Sequence, residues 1–181
     1  KDGLSYNDLT EIPSVPESDG LKKYVGWYYI DGTRMNLTDA ITKDVALFCI
    51  EEEIKIVTSE ESGAFIDEEN DFFNGLEHGT TVENLLTALE NDLNYIVVRD
   101  KVGNEVEETA VVATGMTVEL ISKTEQTVKN EIVTVVVKGD INGDGLVNDD
   151  DFDKSVDMCL GNTSYTESEK AYFEANDIDD D

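Results

Sequence analysis

The chain has 181 residues, 39% of them hydrophobic, which leaves room for one to three small domains with small cores. Forty-two acidic residues against thirteen basic ones give a formal net charge of −29. That balance argues against nucleic acid, whose phosphates would be repelled, and against anionic membrane surfaces. No apolar run approaches the roughly 20 residues of a membrane span, so no membrane insertion is expected, and no signal peptide is recognisable.

Residues 1–52 read as a first β module. Tyr24–Ile30 is aromatic and β-branched and leads into Asp31-Gly32, a hairpin turn signal, and Val45–Ile50 is a second short apolar strand. Pro13 and Pro16 lie in the loop before the first strand. Residues 53–138 read as a second β-rich module with one helix. Ile54–Thr58 is expected as a strand, and Phe72-Phe73 as a strand end before an Asn74-Gly75 turn. Thr80 and Glu83 have capping-box spacing, and Val82, Leu85, Leu86 and Leu89 follow at helical intervals as a core face. Three strands are then expected, at Tyr95–Arg99, Met116–Ser122 and Ile132–Val137, with a turn at Gly103-Asn104 after the first. His78, the sole histidine, has no nucleophile context and reads as an ordinary loop residue. Cys49 and Cys159 fall in different modules. Two buried free thiols are the default expectation and a bridge between modules is the alternative.

The most informative segment is Asp140–Asp151, DINGDGLVNDDD. Oxygen donors stand at alternate places: Asp140, Asn142 and Asp144 at the first, third and fifth, Asn148 at the ninth and Asp151 at the twelfth. Gly145 occupies the sixth, where the chain must turn sharply, and the seventh, Leu146, is expected to act through its carbonyl. Calcium, a hard cation with six to eight oxygen ligands, suits this spacing, with Asn148 acting directly or through water. Past the loop, Phe152, Val156, Cys159 and Leu160 lie on one face of a helix, Asp149–Asp151 favour its N-terminus, and Gly161 suits a left-handed cap. Thr166 and Glu169 offer another capping box, opening a short helix with Ala171, Tyr172 and Phe173. Asp177, Asp179 and Asp181 then repeat the first, third and fifth places of a loop, 37 residues after Asp140.

These strings carry three resemblances. In residues 1–52, the order of Gly26-Trp27, Asp31-Gly32 and Val45–Cys49 resembles the internalin-type B-repeat, a β-grasp-like module of bacterial surface proteins. GTTVENLLTAL, DKVGNEV, VATGMTVELI and TVVVKGDINGDG resemble a module that often precedes dockerins in secreted clostridial proteins, which implies a spacer or scaffold role. Residues 139–181, a loop–helix unit and a second loop, resemble a dockerin, the calcium-dependent module that plugs proteins into cohesins on scaffolds. The expected fold is therefore mainly β, α+β overall: two small β-rich modules, the first β-grasp-like, then a helical EF-hand-like calcium segment.

The dockerin resemblance implies Ca²⁺ donors at Asp140, Asn142, Asp144, Leu146, Asn148 and Asp151, and a second set at Asp177, Asp179 and Asp181 in a repeat that stops before its glycine, twelfth-place ligand and last helix. Both chain ends are thus expected to continue in a longer protein. The family often carries small hydroxyl residues at the tenth and eleventh places, which help choose the cohesin. Asp149 and Asp150 stand there here, which implies a different partner with a basic face. Lys154 and Asp157 on the same helix are further candidates for the partner face.

The expected function is a secreted, extracellular, non-catalytic adaptor that docks to a cohesin, with the β modules as spacer. In the alternative, a cell-surface adhesion or carbohydrate-binding protein, the β modules recognise polysaccharide or a host protein through Trp27, Tyr28 and Tyr29, and the dockerin only tethers them. Catalysis is not expected, because a glycosidase needs two carboxylates fixed across a cleft and small modules leave little room for one.

Overall fold

A computed structural model of the chain describes residues 4–5, 14–18, 22–36, 38, 40–41, 45–121, 129–162 and 169–177. The fold is a sheet-rich mixture of strand and helix in two compact units, Lys1–Ile54 and Lys55–Asp181.

The first unit holds two antiparallel pairs: β1 (Leu4–Ser5) with β3 (Ala40–Ile41), and β2 (Lys22–Tyr29) with β4 (Leu47–Glu53). The expected Asp31-Gly32 turn forms. Gly32 N–H donates to the Tyr29 carbonyl, and the Asp31 carboxylate accepts from Thr33 N–H. A bulge between Tyr24 and Gly26 leaves Gly26 at φ 136°, with the Arg34 guanidinium lying over it. Side chains alternate across a strand, so Trp27 and Tyr29 face one way and Tyr28 the other, paired with Phe48 at a ring separation of 6.3 Å. Trp27 is only half-buried, as is Cys49.

The second unit is built on one five-stranded sheet of order β5 (Phe65–Asp67), β6 (Phe72–Leu76), β9 (Lys129–Val137), β8 (Thr117–Ile121), β7 (Ile96–Arg99). All neighbours are antiparallel except β6 and β9. Helix α1 (Val82–Thr87) buries Val82 and Leu85 as its spacing predicts. Its cap is one residue later than expected: Thr81 accepts from Asn84 N–H, while the Thr80 hydroxyl donates to the Glu77 carbonyl.

Two local expectations fail for physical reasons. Asn74-Gly75 is not a turn but lies inside β6, at a register shift between Phe73 and Leu76. Gly75, at φ 82°, is needed because the Gly63 backbone occupies the space where a Cβ would go. Ile54–Thr58 is not a strand. Its backbone groups are met by the end of the helical segment, with Glu90 N–H donating to Val57, Ser59 N–H to Ala88, and Asn91 Oδ1 accepting from Val57 N–H.

The last strand, β9, positions the loop that begins at Asp140. Val133, Val135, Val136 and Val137 are all buried, so both faces of β9 are covered towards its end. On one face Val136 and Phe72 pack against Ala171 and Ala175 of α3 (Lys170–Asn176). Small side chains let α3 approach closely enough for the Ala175 carbonyl to accept from Gly139 N–H at 2.8 Å. This contact clamps the strand exit one residue before Asp140. Ala175→Leu should overpack the contact and lower the unfolding free energy by about 1–3 kcal/mol in urea. A change below about 0.5 kcal/mol would mean that α3 does not hold the strand exit.

Candidate metal centre

Two glycines shape the Asp140–Asp151 loop. Gly143 and Gly145 have φ 70° and 82°, and both lie against the chain at 111–115. A Cβ on Gly143 would come within 2.6 Å of the Thr114 carbonyl, and one on Gly145 within 3.2 Å of Val111 and Val112. Glycine at the sixth place therefore serves both the turn and the close approach of another segment.

Two carboxylates organise the loop. Asp140 is 0% exposed and accepts three backbone N–H groups: Thr114 (2.8 Å) and Gly145 (3.1 Å) on Oδ2, Asp144 (3.0 Å) on Oδ1. Asp151 is 2% exposed and also accepts three: Ile141 (2.8 Å) and Asn142 (3.0 Å) on Oδ1, Asn148 (3.0 Å) on Oδ2. The last of these is half of a capping box, since the Asn148 side chain in turn accepts from Asp150 N–H at the start of α2 (Asp149–Cys159). The twelfth loop place is thus also the third residue of the helix.

An ionised carboxylate has about four acceptor positions, so each keeps one unused by these bonds. Among the described residues no lysine or arginine nitrogen lies within 4 Å of either. Burial raises the Asp140 carboxyl above the ordinary range. The N–H bonds from Thr114, Gly145 and Asp144 oppose the rise, and the negative charge of Asp151 adds to it. Without a cation, the ionised group therefore opposes folding. The penalty is absent below the ordinary aspartate range, grows as pH rises from there to the raised folded value, and is constant above it.

Asn142 is half-buried, and Asp144, Leu146 and Asn148 are exposed. Asn142 Oδ1 accepts from Asp144 N–H, and Asp144 accepts from Leu146 N–H and from the Asn142 amide. Among the described residues no three His, Cys, Asp or Glu side chains gather as a ready-made metal cage. The loop's donors are instead mixed, with carboxylate, amide and carbonyl oxygens and no nitrogen or sulfur, which is chemistry for a hard cation. Asp177, half-buried, terminates α3 by donating its N–H to the Phe173 and Glu174 carbonyls; Asp179, Asp181 and the expected Thr166 cap lie outside the described residues. Glu169 precedes α3 without a side-chain cap.

Helix α2 ends as expected at Gly161, at φ 69°, whose N–H donates to Met158. Its apolar row is not buried: Phe152 and Leu160 are 68% and 69% exposed, and Val156 and Cys159 are exposed as well. Both cysteines are free thiols, and the expectation that both are buried is corrected. Asp149, Asp150 and Asp157 are exposed, whereas Lys154 is half-buried with Nζ 5.5 Å from the centre of the Tyr172 ring.

Two contributors, Lys101 and Thr114, carried no signal in the sequence. Lys101 Nζ donates to the Gly143 carbonyl at 2.6 Å and lies 5.9 Å from the Tyr172 ring, which Lys154 also approaches. Thr114 supplies a donor to Asp140 from 26 residues away. Neither belongs to a local spacing pattern. Only a pairing inferred from many related chains could have flagged them.

No protein-family model, curated protein or solved structure matches the chain. Among the described residues no helix is long and apolar enough to cross a membrane.

Asp144 is exposed, so as a member of the expected donor set it would separate metal binding from folding. Asp144→Ala should weaken calcium binding at least tenfold by titration calorimetry while lowering stability in chelator by less than about 1 kcal/mol. Unchanged calcium affinity would remove Asp144 from the donor set.

Proposed function

We propose that the chain is a secreted, non-catalytic adaptor in which a dockerin, organised by Ca²⁺ at Asp140, Asn142, Asp144, Leu146, Asn148 and Asp151, docks to a cohesin. The β-rich units act as spacer. The first is read as β-grasp-like and the loop with α2 as EF-hand-like. The observation that carries the proposal is the closed loop around two buried carboxylates, which runs directly into a helix with an exposed apolar row. Buried charges are stable when they are paired or hold a metal, and here the unused acceptor positions belong to two adjacent anions. Calcium would relieve their repulsion and so contribute to folding as well as to binding.

The helix supports the docking half of the reading. Phe152, Val156 and Leu160 form one row, and Asp149, Asp153 and Asp157 form a parallel acidic row at the same spacing. An apolar stripe beside a line of carboxylates fits a partner with a shallow apolar surface and a basic rim, consistent with Asp149 and Asp150 at the specificity-setting places. The polysaccharide-binding alternative needs Trp27, Tyr28 and Tyr29 on one platform, and β2 divides them between two faces.

A panel of cohesins assayed by calorimetry with calcium and with EDTA tests the function. At least one should bind in calcium and none in EDTA, and binding indifferent to chelation would sink the mechanism. Calcium at a hundredfold excess over its Kd should stabilise the protein by about 2.7 kcal/mol, raising Tm on the order of 10 °C. The double substitution Phe152→Ser with Leu160→Ser should weaken cohesin binding at least tenfold and leave Tm unchanged, since both side chains are already exposed. A cohesin bound equally well by that variant would place the interface elsewhere.

A further inference from the structure

The Asp140 carboxylate is held from outside its own loop. Thr114 is 0% exposed and sits in the turn between Val112 and β8. Its two polar groups are used in different directions. The hydroxyl accepts from Val137 N–H at 3.0 Å and donates to the Val137 carbonyl at 3.3 Å, so it completes the end of β9 beyond the reach of β8. Its backbone N–H donates to Asp140 Oδ2 at 2.8 Å, the same oxygen that accepts from Gly145 N–H. One residue therefore fixes both ends of the turn from Val137 to Asp140, which is itself closed by Asp140 N–H on the Val137 carbonyl. The neighbouring Gly115 N–H donates to Val135, which ties the same segment into the sheet.

We propose that Thr114 is a positioning residue for the calcium site, and that through it cation binding at Asp140 tightens the five-stranded sheet. The proposal rests on the calcium reading of the loop. Its physical basis is that outer partners of a ligand set its orientation, and losing one typically costs 10–100-fold in metal affinity. Thr114→Val keeps the shape but leaves the buried Val137 N–H without an acceptor, so the strand end and the Asp140 turn must shift together. Thr114→Ser retains the hydroxyl.

The test combines calorimetry and amide hydrogen exchange on the full chain. In the wild-type protein, calcium should slow exchange at the Thr114 and Val137 amides at least tenfold, along with the loop amides of Asp144 and Gly145. Thr114→Val should bind calcium at least tenfold more weakly, and Thr114→Ser should restore affinity to within about threefold. Slowing confined to Asp144 and Gly145 in the wild type, or a folded Thr114→Val with wild-type affinity, would overturn the proposal while leaving the calcium site intact. If Thr114→Val does not fold, the wild-type exchange pattern decides alone. No heat of binding and no amide change anywhere would overturn the calcium reading, and this inference with it.

Discussion

Two acidic side chains, Asp140 and Asp151, are buried at the two ends of one loop and held by six backbone N–H donors. The loop, the start of α2 and the turn before β8 are arranged around that constraint. The donors come from the loop, from the N-cap of α2 and from the turn before β8. Satisfying the two anions therefore brings three segments together. Backbone dipoles reduce the cost of burying the charge but leave it unneutralised, which is why burial still prevails at Asp140 and holds its carboxyl above the ordinary range. The hydrogen bonds thus organise the two carboxylates without neutralising them.

The coarse fold was legible because it rests on local pattern. The aromatic and β-branched run at Tyr24–Ile30 and the helical spacing from Val82 to Leu89 announced themselves, and the elements there formed within a few residues of their expected bounds. The closing of the Asp140–Asp151 loop was legible for the same reason: the acidic and amide side chains that bond its backbone are its own near neighbours in sequence. Errors arose where a distant backbone decided. Asn74-Gly75 has the chemistry of a turn, yet its glycine is spent on proximity to Gly63 inside a strand. Ile54–Thr58 has strand composition, yet its hydrogen bonds go to the end of a helical segment.

The same distinction governs the site. The spacing of Asp140, Asn142, Asp144 and Asp151 raised the expectation of a donor set, but spacing cannot show that Asp151 also caps α2, or that Thr114 reaches Asp140. Amphipathic periodicity in α2 predicted an apolar face correctly and was silent on whether anything covers it. Periodicity records which residues share a side, whereas coverage depends on where the rest of the chain runs. The exposed Phe152 and Leu160, beside a row of aspartates, are the part of this helix that packing within the described chain does not explain.

Gly143 carries one more consequence. Its place in the loop makes no demand for glycine in terms of ligands, yet a side chain there would collide with the Thr114 backbone, the Lys101 ammonium and the Tyr172 ring. The residue is shaped by its neighbours. Cut out and transplanted into another scaffold, the twelve residues would keep their donors but lose the surface they were moulded against. As a cassette, the loop is incomplete. Its natural unit of exchange, in recombination or in engineering, is the whole span from Lys55 to the end of α3.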